Sequence, residues 1–190
     1  MIIRTDDILK SLESYSNPRC KLQRLVDEGK YHQIIRGIYE TDPDTPGQYI
    51  ARSIRNPSYL SFEWALSYHG LIADIPYPLS SATTDTHRTK DYDTSFGRFT
   101  FRDVPKEAFG LCIDIMDERG YTWWVASPEK ALCDRLYKMQ PQRSVGELEH
   151  MLMWELGIDQ KTLDTLDWQD ILMLTPKYHS KNLDLLCRLQ

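Results

Sequence analysis

Residues 18–40 read PRCKLQRLVDEGKYHQIIRGIYE, and the N-terminal architecture turns on this stretch. Asn17, just before it, offers a side-chain oxygen to the first free amides of a helix. Pro18 suits the first helical position, where its missing N–H would be unpaired in any case. Leu22, Leu25 and Val26 stand at i, i+3 and i+4 and form an apolar stripe that must face a core. Lys21, Gln23 and Arg24 point elsewhere, and Gly29 stops the helix. Two β-prone runs, 31–35 and 38–40, then flank Arg36-Gly37. A two-residue connection containing glycine reads as a tight hairpin.

Working towards the N-terminus, Thr5 is placed to cap an earlier helix. Asp6 and Asp7 lie in its first turn, where the helix dipole favours carboxylates, and Ile8, Leu9 and Leu12 form its stripe. Helix, helix and short hairpin is how a winged helix-turn-helix module ends. Only two helices precede the hairpin, so residues 1–42 are read as a shortened winged-helix module.

Working towards the C-terminus, residues 41–47, TDPDTPG, have the prolines, glycine and aspartates of a linker, and a second domain is expected over 46–190. A short helix is expected over 48–54. Ser61 stands as the cap of a helix through His69, with Gly70 as its stop. Strands are expected over 78–84, 97–104, 109–116 and 121–126. Residues 85–95, DTHRTKDYDTS, show no periodicity and read as a polar loop, mobile or a contact surface. Ser127-Pro128 opens a helix with Leu132, Leu136 and Met139 on one face. An Asp134–Lys138 i,i+4 pair is expected on the opposite face. Ser144 and Glu147 form a capping box for a helix with Leu148, Met151, Leu152 and Leu156 inward, and the tail from Asp159 is helical in pattern. Strands followed by helices give the fold class α+β: a shortened winged-helix module, then a mixed α+β domain with C-terminal helices.

Composition agrees with a folded core. The 190 residues are 41% hydrophobic and include 11 tyrosines, 5 tryptophans and 5 phenylalanines, which excludes disorder along most of the length. No apolar run approaches the roughly 18–20 residues of a membrane-spanning helix. The opening MIIRTDDILK has acidic residues where a signal peptide would be apolar, so a soluble cytoplasmic protein without membrane partners is expected. The net charge of −5 hides a local bias. Residues 18–37 carry five cations and two anions, a net of +3, so the remainder carries −8. Cys20, Cys112, Cys133 and Cys187 lack metal-ligand spacing and are read as small buried apolar residues.

Signals for catalysis are weak. The glycines are scattered singly, so neither phosphate-cradling fingerprint is present, no Gly-x-Ser-x-Gly elbow occurs, and no two histidines share a helical face. No catalytic residue, metal or cofactor is therefore expected, and the chain is not read as an enzyme. Asp114 and Asp117 with Glu129 and Lys130 form a poor match to a magnesium-dependent nuclease or transferase. In the plainer reading Glu129 favours the helix N-terminus and Lys130 is solvated. Asp91 and Asp93 could hold a cation, but a solvated loop accounts for them. Trp123-Trp124 is either a stacking platform for bases or a strand buried on both faces, and core packing is preferred.

The basic segment has a definable physical role. A winged helix sends one helix into the major groove while its hairpin meets phosphate or the minor groove. On that reading Lys21, Gln23 and Arg24 are candidate base-edge or backbone contacts and Arg19 meets phosphate. Lys30, His32 and Arg36 lie along the wing. The competing reading is an Arg24–Glu28 i,i+4 pair on an ordinary solvated face.

Several segments taken together carry a resemblance. KLQRLVDEGKYHQIIRGIYE is followed by PSYLSFEWALSYHGLI, then SATT before FGRFTFRDV, then ASPEKALCDRLY. This order resembles the AbiEi family of antitoxins, also described as predicted transcriptional regulators of viral defence systems, over roughly residues 18–140. The segment 127–137 is the most specific. The resemblance implies a winged-helix domain binding inverted repeats in the promoter of its own operon, and a C-terminal domain carrying antitoxin activity. It further implies a type IV toxin-antitoxin pair in bacterial phage defence, with a nucleotidyltransferase-like toxin countered without an obligatory stable complex. Symmetric half-sites would suit a homodimer. The alternative is a protein-binding antitoxin module without sequence-specific DNA binding, its acidic remainder set against a basic partner.

Overall fold

In the computed structural model, which describes residues 1–74, 76–84 and 86–189, the chain opens with a short strand, β1 (Ile2–Arg4), that runs directly into α1 (Thr5–Ser11). Next come α2 (Pro18–Asp27), β2 (His32–Ile35) and β3 (Ile38–Glu40). The expected local chemistry is present in α2: the Asn17 side chain accepts the Cys20 amide at 3.1 Å, and Gly29 takes a φ of +72°. Gly37, at φ +89°, turns the hairpin. The three strands pair antiparallel in the order β1-β3-β2.

Two expectations for this head are corrected. β1 is an addition, since three residues carry too little pattern to be read alone; it exists because β3 offers an edge, with Ile2 opposite Glu40 and Arg4 opposite Ile38. Thr5 is also not a cap. It is the first helical residue, Arg4 takes the capping position without a side-chain bond, and the Thr5 amide donates to the Gly37 carbonyl at 2.9 Å. The hairpin tip thus closes the start of α1.

One face of the head sheet, with Ile3 and Tyr39, covers a small cluster of Ile8, Leu12, Leu22 and Leu25. The other face, with Ile2, Ile34 and Ile38, packs on the main core of the molecule. Residues 41–47, read as a linker, are held in place. Glu40 accepts the amides of Thr41 and Asp42, and the hydroxyl of buried Thr45 lies 3.3 Å from that of Tyr121.

The body is α+β. It comprises α3 (Gly47–Ile54), β4 (Tyr59–Leu60), α4 (Phe62–Tyr68), β5 (Leu79–Thr83), β6 (Lys90–Thr94), β7 (Gly97–Asp103), β8 (Ile113–Glu118) and β9 (Tyr121–Ala126). Then follow α5 (Pro128–Lys138), α6 (Val145–Glu155), α7 (Gln160–Leu163), α8 (Trp168–Leu174) and α9 (Lys181–Leu186). Among the described residues the strands form a mixed sheet in the order β6-β7-β5-β4-β9-β8, with β5/β7 and β4/β9 parallel. No helix among the described residues is long and apolar enough to cross a membrane.

Three strand expectations change. Residues 90–94 of the stretch read as a loop form β6, paired antiparallel with β7; Asp85 of that stretch lies outside the described residues. Lys90, Tyr92 and Thr94 are half-buried and Asp91 and Asp93 exposed, so a period of two does run through the segment. Tyr92 sets its ring edge-on to Phe101 at 5.7 Å. β4, a two-residue strand, is a further addition, and β8 starts at Ile113 rather than 109 because Cys112 turns the chain at φ +51°.

The largest correction concerns α5. Ser127 caps it as expected, accepting the Lys130 amide at 3.2 Å. Lys130 and Asp134, however, are both fully buried, and Asp134 pairs with Lys130 at 2.7 Å rather than with Lys138. The Asp134 carboxylate also accepts from Ser61 at 2.6 Å, Tyr59 at 3.0 Å and Tyr178 at 2.6 Å, and Tyr178 touches the Lys130 ammonium as well. Ser61 sits at the start of α4 as expected, yet spends its hydroxyl on Asp134 instead of capping the helix. Burial and the neighbouring carboxylate push the Tyr59 and Tyr178 hydroxyls far up, so both remain donors. Every charge here has partners, which is the condition for burying them at all.

Glu129 does lie at the N-terminus of α5, but buried, accepting from the Ser127 hydroxyl and the Asp167 amide. Of the cysteines, Cys133 is buried as expected and Cys112 and Cys187 are half-buried. Cys20 is exposed, because it lies on the face of α2 turned away from Leu22 and Leu25.

Candidate nucleic-acid interface

Burying Leu22 and Leu25 orients α2, and at 100° per residue this sends Cys20, Gln23, Arg24 and Asp27 outward, with Arg19 and Lys21 on the flanks. Arg19, Gln23, Arg24 and Asp27 are all exposed. Neither Arg19 nor Arg24 forms an ion pair among the described residues. The expected Arg24–Glu28 pair is not made. Glu28 is instead taken by Lys30 at 3.0 Å, and that hydrogen bond, with the charge of Lys30, holds the Glu28 carboxyl below its ordinary range. Gln23 donates its side-chain amide to Asp27 at 3.0 Å, and the Lys21 ammonium lies over the Tyr15 ring, 5.3 Å from its centre.

The hairpin is short. Arg36 at its tip is exposed and without an ion pair among the described residues, while Gly37 rests against the start of α1. His32, assigned to the wing by sequence, is half-buried opposite Glu40 in the β2–β3 ladder. Its Nε2 is closed off from solvent without a hydrogen-bond partner. Of the seven residues singled out by sequence, the fold therefore leaves Arg19, Gln23, Arg24, Lys30 and Arg36 exposed. Lys21 is half-covered, and His32 turns its outer nitrogen away from solvent.

Elsewhere the residues considered for chemistry do not converge. Asp114 and Asp117 lie exposed on the edge strand β8, where Thr122 donates to Asp117 at 2.6 Å, while Glu129 is consumed inside the fold. Asp91 accepts the Thr100 hydroxyl at 2.7 Å and Asp93 faces Arg98 at 3.6 Å. No group of three or more His, Cys, Asp or Glu side chains that could hold a metal ion occurs among the described residues. Trp123 is buried, and Trp124 is covered by Arg52, whose guanidinium carbon lies 3.6 Å from the ring centre.

Sequence reading missed two cations, Arg4 on β1 and Arg52 on α3, which line one cleft between head and body. Their separation along the chain hides the pairing. A comparison with models of known families matches none of them, and no curated protein matches the chain.

Proposed function

We propose that the head binds duplex DNA through the outward face of α2, and that the chain acts as a transcriptional autoregulator and antitoxin of the kind the sequence resemblance implies. The observation that carries the DNA reading is the exposed pair Arg19 and Arg24. Among the described residues both lack a carboxylate partner, and they flank Gln23 on an exposed face in a chain whose remainder is acidic. The order β1-α1-α2-β2-β3 with sheet order β1-β3-β2 is compatible with a winged helix lacking its first helix, in which α2 is the groove-entering element.

An arginine at such a position reads guanine bidentately or holds phosphate, a glutamine reads adenine, and a carboxylate such as Asp27 accepts from cytosine N4 while repelling phosphate. The Gln23–Asp27 bond would have to open for either side chain to reach a base edge. Arg36, at the hairpin tip that closes the start of α1, reaches phosphate rather than a distant groove. Antitoxin action against a nucleotidyltransferase-like toxin rests on the resemblance alone.

The test is binding of a fluorescent duplex from the region upstream of the reading frame. Wild type binds with an affinity that falls steeply with salt. Arg19→Ala/Arg24→Ala weakens binding at least about tenfold and lowers the log–log salt slope by about 2, one for each phosphate left unneutralised. A double variant with wild-type affinity and slope contradicts the assignment.

A second reading has its own observation. Ile115 is 60% exposed on β8, which is an edge of the sheet among the described residues and carries Asp114, Asp117 and Glu118, and would suit a basic protein segment adding a strand. Co-purification with a neighbouring toxin, together with no duplex binding at low salt, would favour it.

A further inference from the structure

We propose that the cleft between the head and α3 is a phosphate-binding site whose donors are Arg4 and Arg52. The cleft has a volume of about 400 Å³ and brings Arg4 and Asp7 of the head against Arg52, Ser53, Asn56 and Thr122 of the body. It uses none of the residues assigned to the outward face of α2.

Arg52 carries the argument. Its guanidinium stacks on Trp124, 3.6 Å from the ring centre, and this fixes the plane of the fork. Its Nε is closed off from solvent, whereas its two Nη groups remain accessible and make no hydrogen bond among the described residues. A planar fork whose terminal N–H groups are unbonded fits a phosphate group, which accepts two parallel N–H bonds. Arg4, which lines the same cleft, is exposed and makes no ion pair among the described residues.

The hydroxyls are not competing donors: Ser53 already donates to the Ile50 carbonyl at 2.7 Å and Thr122 to Asp117 at 2.6 Å. Asp7 is the opposing charge. Two guanidinium groups against one carboxylate leave the cleft cationic, although the chain as a whole is acidic. The ligand is thus a phosphate monoester or diester, and its source is either the backbone of a bound duplex or a free phosphate compound.

Trp124 makes the site observable. Inorganic phosphate titrated into the full chain should change tryptophan emission saturably, with a midpoint below about 10 mM, and sodium chloride at matched ionic strength should not. The change should vanish in Trp124→Phe, which keeps an aromatic ring under Arg52. Arg4→Ala and Arg52→Lys should each raise the midpoint at least about tenfold; if the second does not fold, Arg4→Ala, at an exposed position, carries the test. A response no different from that to chloride, or one unchanged in the arginine variants that fold, overturns the proposal. A short duplex that displaces phosphate identifies DNA as the source; phosphate binding that a duplex leaves untouched identifies a free phosphate compound. A failure of the α2 reading, seen as duplex binding indifferent to Arg19→Ala/Arg24→Ala, leaves the phosphate response in place, so the two failures are separable.

Discussion

Helices α2 and α5 begin in the same way. Each has a capping side chain, Asn17 or Ser127, followed by proline at the first helical position and then by charged residues. In α2 the cations Arg19 and Arg24 end in solvent without an ion pair among the described residues, whereas in α5 Lys130 and Asp134 are wholly enclosed. The difference lies in what packs on each helix. α2 rests on one small cluster and leaves half its circumference bare, whereas α5 is enclosed by α4, α8, α9 and β9. Local helix chemistry is therefore silent on the role of a charge. On the proposed reading a cation serves recognition where a face is left open; where the face is closed, as around Lys130, it serves internal cohesion.

Breaking the α5 network should give the largest effect. Asp134→Asn removes the anion that answers Lys130 and three hydroxyls, and should cost about 3–5 kcal/mol in chemical denaturation. Lys130→Met/Asp134→Leu, which removes both charges together, should cost clearly less, because no buried ion is left alone. Arg19→Ala/Arg24→Ala should change stability by no more than about 0.5 kcal/mol, as expected for exposed side chains. If the two helices responded equally to loss of charge, the contrast between them would be wrong.

Glu63 sharpens the comparison from a middle position. It accepts from Arg102 at 2.9 and 3.0 Å and pairs with Arg135 at 3.1 Å, with all three side chains about a quarter exposed. Burial pushes its carboxyl up, but the two guanidinium groups outweigh this and hold it below its ordinary value of 4.5. A depressed folded value means that the ion pair's contribution is complete above about pH 4.5 and is lost as pH falls through the folded value. Glu63→Gln should therefore cost about 1–2 kcal/mol at neutral pH, with the gap to wild type closing in acid. Urea denaturation at pH 7 and below pH 4 measures both points; a gap that stays constant into acid would contradict the assignment.

What was legible in the sequence follows the same physics. The caps of α2 and α5, the stripe of Leu22 and Leu25 and the turn at Gly37 are signals contained within a few residues, and each appears where it was expected. β1 was not legible, because three residues become a strand only when β3 supplies the partner. β6 carried a readable alternation of Lys90, Tyr92 and Thr94, masked by the aspartates between them. The burial of Lys130 was hidden because its cover comes from Tyr59 and Tyr178, far away in the chain. Of the candidate interface, the arginines of α2 were readable from periodicity. The withdrawal of His32 was not, since it depends on which face of the hairpin the body covers.

Cys20 gives the most direct test of the central claim, that the outward face of α2 meets DNA. It is exposed on that face beside Arg24, while Cys133 is buried and Cys112 is half-buried, with burial pushing its thiol up to about 11. The rate at which a maleimide alkylates Cys20 should fall in proportion to duplex occupancy when the upstream fragment is added, and return as salt releases the DNA. An unchanged rate at saturating duplex would mean that DNA, if bound, lies on another surface.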